Sequence, residues 1–129
     1  GSRIALSRMF RLADVYHSAA RRRRFASDPL TLKSYDTAAY LRYLRHTPLA
    51  MKHELDVPIL LAGGDHDRLV PLSYQRRVFE SLRRRQGKTS MVVIKGGSHA
   101  VFEEQTATMA QLASEWFLQT LAPTPIALA

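Results

Sequence analysis

The sequence predicts an α/β fold built on a parallel strand–helix–strand–helix unit. Three observations carry this. Two short apolar runs, "VPILLA" from Val57 and "SMVVI" from Ser90, are each followed within a residue by a glycine pair. An amphipathic stretch, Leu72 to Arg85, lies between them, and a second apolar-periodic stretch follows from about Gln105 to Leu121. Continuous apolar runs of this length suit strands buried on both faces. Two such strands joined by a helix pair in parallel through a right-handed connection. In sheets of this kind functional groups gather beyond the carboxyl ends of the strands.

The elements follow in order. Ile4, Leu6, Met9, Phe10, Leu12, Ala13, Tyr16 and Ala20 recur at roughly helical spacing, which predicts a helix from Ile4 to about Arg24. Ser27-Asp28-Pro29 breaks it. Ser34 or Asp36 is placed to cap a second helix carrying Ala38, Ala39, Leu41, Tyr43 and Leu44 and ending near His46, before Pro48. Leu49 to Leu55 reads as a further short turn. Val57 to Ala62 is the first strand, ended by Gly63-Gly64. Leu72 to Arg85 turns Val78, Phe79 and Leu82 inward and stops at Gly87. Ser90 to Ile94 is the second strand, and Gly96-Gly97-Ser98-His99 a loop. Glu103 and Glu104 open the last helix, where acidic residues complement the helix dipole. Trp116 and Phe117 read as core, and the proline-rich tail "APTPIALA" cannot continue the helix.

The 129 residues, 46% of them hydrophobic, suffice for one core. Without cysteine, no disulfide, thiol nucleophile or thiolate-held metal is available. No apolar run reaches the ~18 residues of a membrane span and no signal-peptide pattern opens the chain, so a cytoplasmic location is expected. Gly1-Ser2 reads as an expression remnant. The net charge of +8 is concentrated in Arg21 to Arg24 and Arg83 to Arg85. These runs read as solvated helix ends, since cations are favourable at helix C-termini. They lack the interleaved aromatics of a nucleic-acid surface, so no nucleic-acid partner is expected.

The two strand tips carry "GGDHD", with Asp65, His66 and Asp67, and "GGSH", with His99. A carboxylate on one imidazole nitrogen fixes its tautomer and stabilises the imidazolium, leaving the other nitrogen to act as a base. Such a pair is two-thirds of a Ser-His-Asp triad, and acid before histidine fits one known chain order. Adjacent residues rarely all point into one site, and no ligand-spaced histidine pair exists. No metal or cofactor is therefore expected. Asp65 is expected to shape its turn through backbone hydrogen bonds, and His66 to be exposed.

The stretch "VPILLAGGDHDRLVP", then "MVVIKGGSHAVFEE" and a helix ending "SEWFLQTL", resembles the C-terminal part of an α/β-hydrolase. The resemblance covers Val57 to Leu121. In that family an acid stands in a Gly-Asp/Glu-x-Asp-x-x-Val-Pro segment, matched by Gly64, Asp65, Asp67, Val70 and Pro71. The histidine follows a Gly-x-Gly-like loop, matched by Gly96, Gly97 and His99, with Ser98 where glycine is usual. The resemblance implies Asp67 as the catalytic acid and His99 as the base. Upstream, Phe25 and Asp28 to Leu30 are similar to the end of the cap in lysophospholipase-like and monoglyceride-lipase-like members. This implies 3–56 as a helical cap or lid and 57–122 as the C-terminal hydrolase core, between the remnant at 1–2 and the tail at 123–129.

The family's Gly-x-Ser-x-Gly nucleophile turn does not occur in the sequence. Gly96-Gly97-Ser98-His99-Ala100 imitates it, but alanine replaces the last glycine and too little chain follows for a later acid and histidine. The expectation is therefore a piece of a serine hydrolase, cleaving carboxylic acyl esters in a lipase- or lysophospholipase-like manner. It would supply Asp67 and His99 to a nucleophile on the missing N-terminal segment. Epoxide, haloalkane and thioester chemistry stay open. The alternative is a non-catalytic binding or scaffold module whose arginine runs contact anionic partners. Two strands alone leave unpaired edges, so the isolated chain is expected to need a partner polypeptide or self-association.

Overall fold

The computed structural model of the chain describes residues 1–46, 53–54 and 57–121. The N-terminal part is not one helix. Strand β1 (Arg3–Ala5) pairs antiparallel with β2 (Ser34–Asp36), with Ile4 opposite Tyr35. The ladder continues as Leu6 N–H donates to Lys33 O at 2.9 Å, and the Arg3 guanidinium donates to Ser34 Oγ at 2.9 Å. A 3-10 turn (Leu6–Arg8), the short helix α1 (Leu12–Val15) and helix α2 (Ala19–Ser27) follow. The helix predicted from Ile4 to Arg24 fails because a long-range ladder claims its first residues. A local cap then restarts the helix, as the Ser18 hydroxyl accepts Arg21 N–H at 3.3 Å. Helix α2 does end at Ser27, where Asp28 Oδ1 accepts Leu30 N–H at 2.8 Å.

Helix α3 (Thr37–Arg45) is capped by Asp36, whose carboxylate accepts Ala39 N–H at 2.9 Å. Ser34, the other cap candidate, lies in β2. The turn expected over Leu49 to Leu55 falls almost wholly outside the described residues, as does the tail beyond Leu121.

The second unit is the expected one. Strand β3 (Ile59–Gly64), helix α4 (Leu72–Arg85) and strand β4 (Thr89–Ile94) form a crossover, and β3 pairs parallel with β4 from Ile59 opposite Thr89 to Gly64 opposite Ile94. Helix α4 buries Gln75 and Leu82 and half-buries Val78 and Phe79 at helical spacing. It ends by Gln86 N–H donating to Leu82 O at 2.7 Å, not through a left-handed Gly87; among the described residues only Gly96 has positive φ. The strands are less covered than their apolar runs predict. Residues 59–63 of β3 are half-buried, because among the described residues each strand has a single ladder neighbour.

A four-residue helix α5 (Val101–Glu104) precedes the last helix, α6 (Thr106–Leu121). Ile94, Val101 and Met109 form a buried cluster, with Ala62, Val92 and Leu112 packed on it. On α6 Met109 is buried, and Leu112, Ala113 and Trp116 on the same stripe are half-buried. Phe117 is 54% exposed, one step round the helix from that stripe, and meets Trp116 edge-on at 5.1 Å. No helix among the described residues is long and apolar enough to cross a membrane.

Candidate active site

The tips of β3 and β4 interlock. Asp65 N–H donates to Ile94 O at 3.2 Å and His66 N–H to Gly97 O at 3.0 Å, so the parallel pairing runs on past both strands. Asp65 reaches across rather than serving its own turn: Gly96 N–H donates to Asp65 Oδ1 at 2.7 Å. Gly97 N–H closes a turn onto Ile94 O at 3.1 Å, and Gly96, at φ +68°, occupies the left-handed position that this turn requires.

Asp67 is fixed from both ends of its carboxylate. Its Oδ1 accepts Leu69 N–H at 2.9 Å and Val70 N–H at 2.8 Å, which folds the loop into helix α4. Its Oδ2 lies 2.9 Å from His99 Nδ1. With Asp67 ionised, Nδ1 must carry the hydrogen. The acid side chain is 8% exposed and the histidine side chain 40% exposed. A buried carboxylate thus orients a partly open imidazole. Gln75, on α4, brackets the acid loop: its Nε2 donates to Gly64 O at 2.9 Å and to Val70 O at 2.8 Å, on either side of Asp67. Its amide oxygen is buried without a hydrogen-bond partner.

His66 is exposed, as expected, and stands 6.2 Å ring to ring from His17. His17, Asp65, His66, Asp67 and Arg68 line a cleft of about 500 Å³ beside the Asp67–His99 pair. Among the described residues no group of three or more His, Asp or Glu side chains is arranged to hold a metal. Ser98, the imitation nucleophile, is 2% exposed; its hydroxyl donates to Glu104 Oε2 at 2.6 Å and accepts Ala100 N–H at 3.1 Å. It is buried away from solvent.

Glu103 and Glu104 do not open the last helix; they sit at the end of α5 and hold the N-terminal segment. Tyr16 Oη donates to Glu103 Oε1 at 3.1 Å, and Arg21 donates to the Glu103 carbonyl at 2.8 Å. Glu104 accepts Ser18 N–H at 2.6 Å and His17 N–H at 3.1 Å, besides Ser98. Ala100 N–H also donates to Val15 O at 3.1 Å. Sequence reasoning missed this because the partners are 86 and 87 residues apart and no local pattern joins them. The first arginine run is a solvated helix end only in part: Arg23 and Arg24 are exposed and Arg24 stands in the last turn of α2, but Arg21 lies in the first turn and Arg22 donates to the Tyr16 and His17 carbonyls at 2.8 Å each. Arg83 to Arg85 do occupy the last turn of α4, where they complement the dipole.

Burial pushes the Tyr16 hydroxyl above its ordinary pKa, with the Glu103 charge adding to the effect. For Glu104 burial also acts upward, but the hydrogen bonds from Ser98, Ser18 and His17 outweigh it and hold the carboxyl below the usual range. Folding therefore favours ionised Glu104. Its contribution is present above the unfolded carboxylate pKa and is lost as pH falls through the lower folded value. Chemical unfolding between about pH 6 and about pH 3 should show stability falling with acid, and Glu104→Gln should flatten that slope. An unchanged slope would contradict the assignment.

A family model described as serine aminopeptidase, S33, matches residues 3–106. Comparisons with curated proteins and with solved structures return no match. The family match spans both the N-terminal segment and the two strand tips, well over half of the 129 residues. The chain, with its mixed helices and small parallel sheet, belongs to the serine aminopeptidase S33 family of the α/β-hydrolase superfamily.

Proposed function

We propose that this chain is the acid–base part of a serine hydrolase that cleaves carboxylic acyl esters, with Asp67 as triad acid and His99 as triad base. The observation that carries this reading is the 2.9 Å contact between Asp67 Oδ2 and His99 Nδ1, made at the carboxyl ends of two parallel strands in a hydrolase-family chain. Nε2 is then the nitrogen that takes the proton of an attacking serine and returns it to the leaving alcohol. In the second half-reaction the same nitrogen deprotonates the water that hydrolyses the acyl-enzyme. Asp67 stabilises the imidazolium formed in each half.

The sequence contains no Gly-x-Ser-x-Gly turn, and Ser98 is buried and bonded to Glu104. The nucleophile and the oxyanion-hole donors are therefore assigned to polypeptide outside these 129 residues. Residues 3–56 act as the cap. Two features support that role. Residues 15–18 dock on the histidine loop, and Leu6, Phe10, Leu12 and Phe25 line an apolar cavity of about 400 Å³ able to take an acyl chain. No cofactor enters this chemistry. The cytoplasm is the proposed location.

The test offers the assembly that carries the serine two substrate sets, p-nitrophenyl acyl esters and aminoacyl p-nitroanilides. Turnover of the esters is expected. Turnover of the anilides alone would replace the ester reading with amide cleavage at a free amino terminus.

A further inference from the structure

We propose that Glu104 is a positioning residue for His99, and that it does this by clipping residues 15–18 to the loop that carries the imidazole. The inference rests on the reading of Asp67 and His99 as the acid–base pair. Its physical basis is the number and placement of the donors on one carboxylate. Oε2 accepts both Ser98 Oγ–H, at 2.6 Å, and His17 N–H, at 3.1 Å, while Oε1 accepts Ser18 N–H at 2.6 Å. Charge-assisted bonds of this length are the stronger class.

Ser98 is the residue immediately before His99, and its hydroxyl also accepts the N–H of Ala100, the residue immediately after. Ala100 N–H is shared with Val15 O at 3.1 Å. The backbone is thus held on both sides of His99, and each hold leads to Glu104 or to the segment Glu104 anchors. This matters because the His99 side chain is 40% exposed. Side-chain packing alone leaves it rotamer freedom, so its aim at Asp67 depends on where the backbone puts its Cα. Glu104 is the last residue of α5, and its carboxylate serves the Ser98 hydroxyl and the strap, not the N-terminal amides of its own helix. The same clip sets one wall of the cleft, since His17, whose N–H it takes, lines that space with Asp67.

The test reads the imidazole tautomer directly. The full chain is isotope-labelled, with any co-purifying polypeptide left unlabelled, and long-range proton–nitrogen spectra are recorded near neutral pH. His99 should show the Nδ1–H form fixed by Asp67, whereas exposed His66, in the same spectrum, averages over both tautomers. In Glu104→Ala the His99 signal should move to the averaged pattern. Glu104→Gln, which keeps one acceptor, should fall between. Turnover should drop about a hundred-fold in kcat for Glu104→Ala, the scale of an ångström-sized misplacement. Ser98→Ala supplies the reading if Glu104→Ala does not fold. It removes the link to His99 while leaving the His17 and Ser18 bonds, so His99 should average while those two amides stay slow to exchange.

An Nδ1–H signature unchanged in both Glu104→Ala and Ser98→Ala would overturn the proposal. A wild-type His99 that already averages like His66 would overturn the Asp67–His99 pair and this inference with it. A wild-type signature that is lost in the variants, in a preparation without ester turnover, would support Glu104 and remove only the ester reading.

Discussion

His99→Ala is expected to lower acyl-ester turnover by on the order of a million-fold in the assembly that carries the serine, the scale seen when a triad base is removed. The loss should fall on kcat, because the imidazole handles protons in the transition state and contributes little to ground-state binding. Asp67→Asn should cost about ten-thousand-fold, since an amide beside Nδ1 no longer holds the required tautomer. The double variant should be barely worse than His99→Ala alone, because the two residues act as a unit. Stability should separate them. His99 is a partly exposed loop residue, so its removal should shift unfolding by no more than about 1 kcal/mol. Replacing Asp67 with alanine also deletes the acceptor for Leu69 and Val70 N–H and should loosen the start of α4. Turnover within tenfold of wild type in His99→Ala would exclude it as the base.

Gly64→Ala should be strongly destabilising, by about 3 kcal/mol or more, the upper end for overpacking. Gly64 ends β3 exactly opposite Ile94, the last residue of β4, and a Cβ built on it would overlap the carbonyl and Cα of Gly97. Backbone cannot swing aside as a side chain can. From the other loop, a Cβ on Gly97 would come 2.8 Å from Gly64 Cα. The two glycines let the acid loop and the histidine loop touch, and that contact is what brings Asp67 within reach of His99. Gly87→Ala is the control: nothing lies within 4 Å of the added carbon and its φ is not positive, so little change is expected. Denaturant unfolding of the two variants checks the pair. Equal stabilities would contradict the close approach.

The second half of the fold was legible because its signals are local. The apolar runs at Val57 and Ser90, the stripe along Leu72 to Arg85 and the glycine pairs each act within a few residues of themselves, and together they force a parallel crossover. The pairing of Asp67 with His99 follows from the same logic, since both tips lie at carboxyl ends of neighbouring strands. The first half was not legible. The spacing of Ile4 to Ala20 imitates a helix, but Arg3–Ala5 is decided by Ser34–Asp36, some thirty residues away. The anchoring by Glu103 and Glu104 joins residues 86 and 87 apart, so nothing near these acids in the sequence tells it from a charge that complements a helix start. The apolar spacing of the last helix puts Phe117 in the core beside Trp116, but its position on α6 turns it to solvent.

The most direct measurement is the intact mass of the active assembly after treatment with a fluorophosphonate, which reacts covalently with an activated serine. The adduct should map to a serine outside these 129 residues, and His99→Ala should abolish it. An adduct on a residue within these 129, or labelling indifferent to His99, would contradict the assignment of Asp67 and His99 as the acid and base of a nucleophile carried elsewhere.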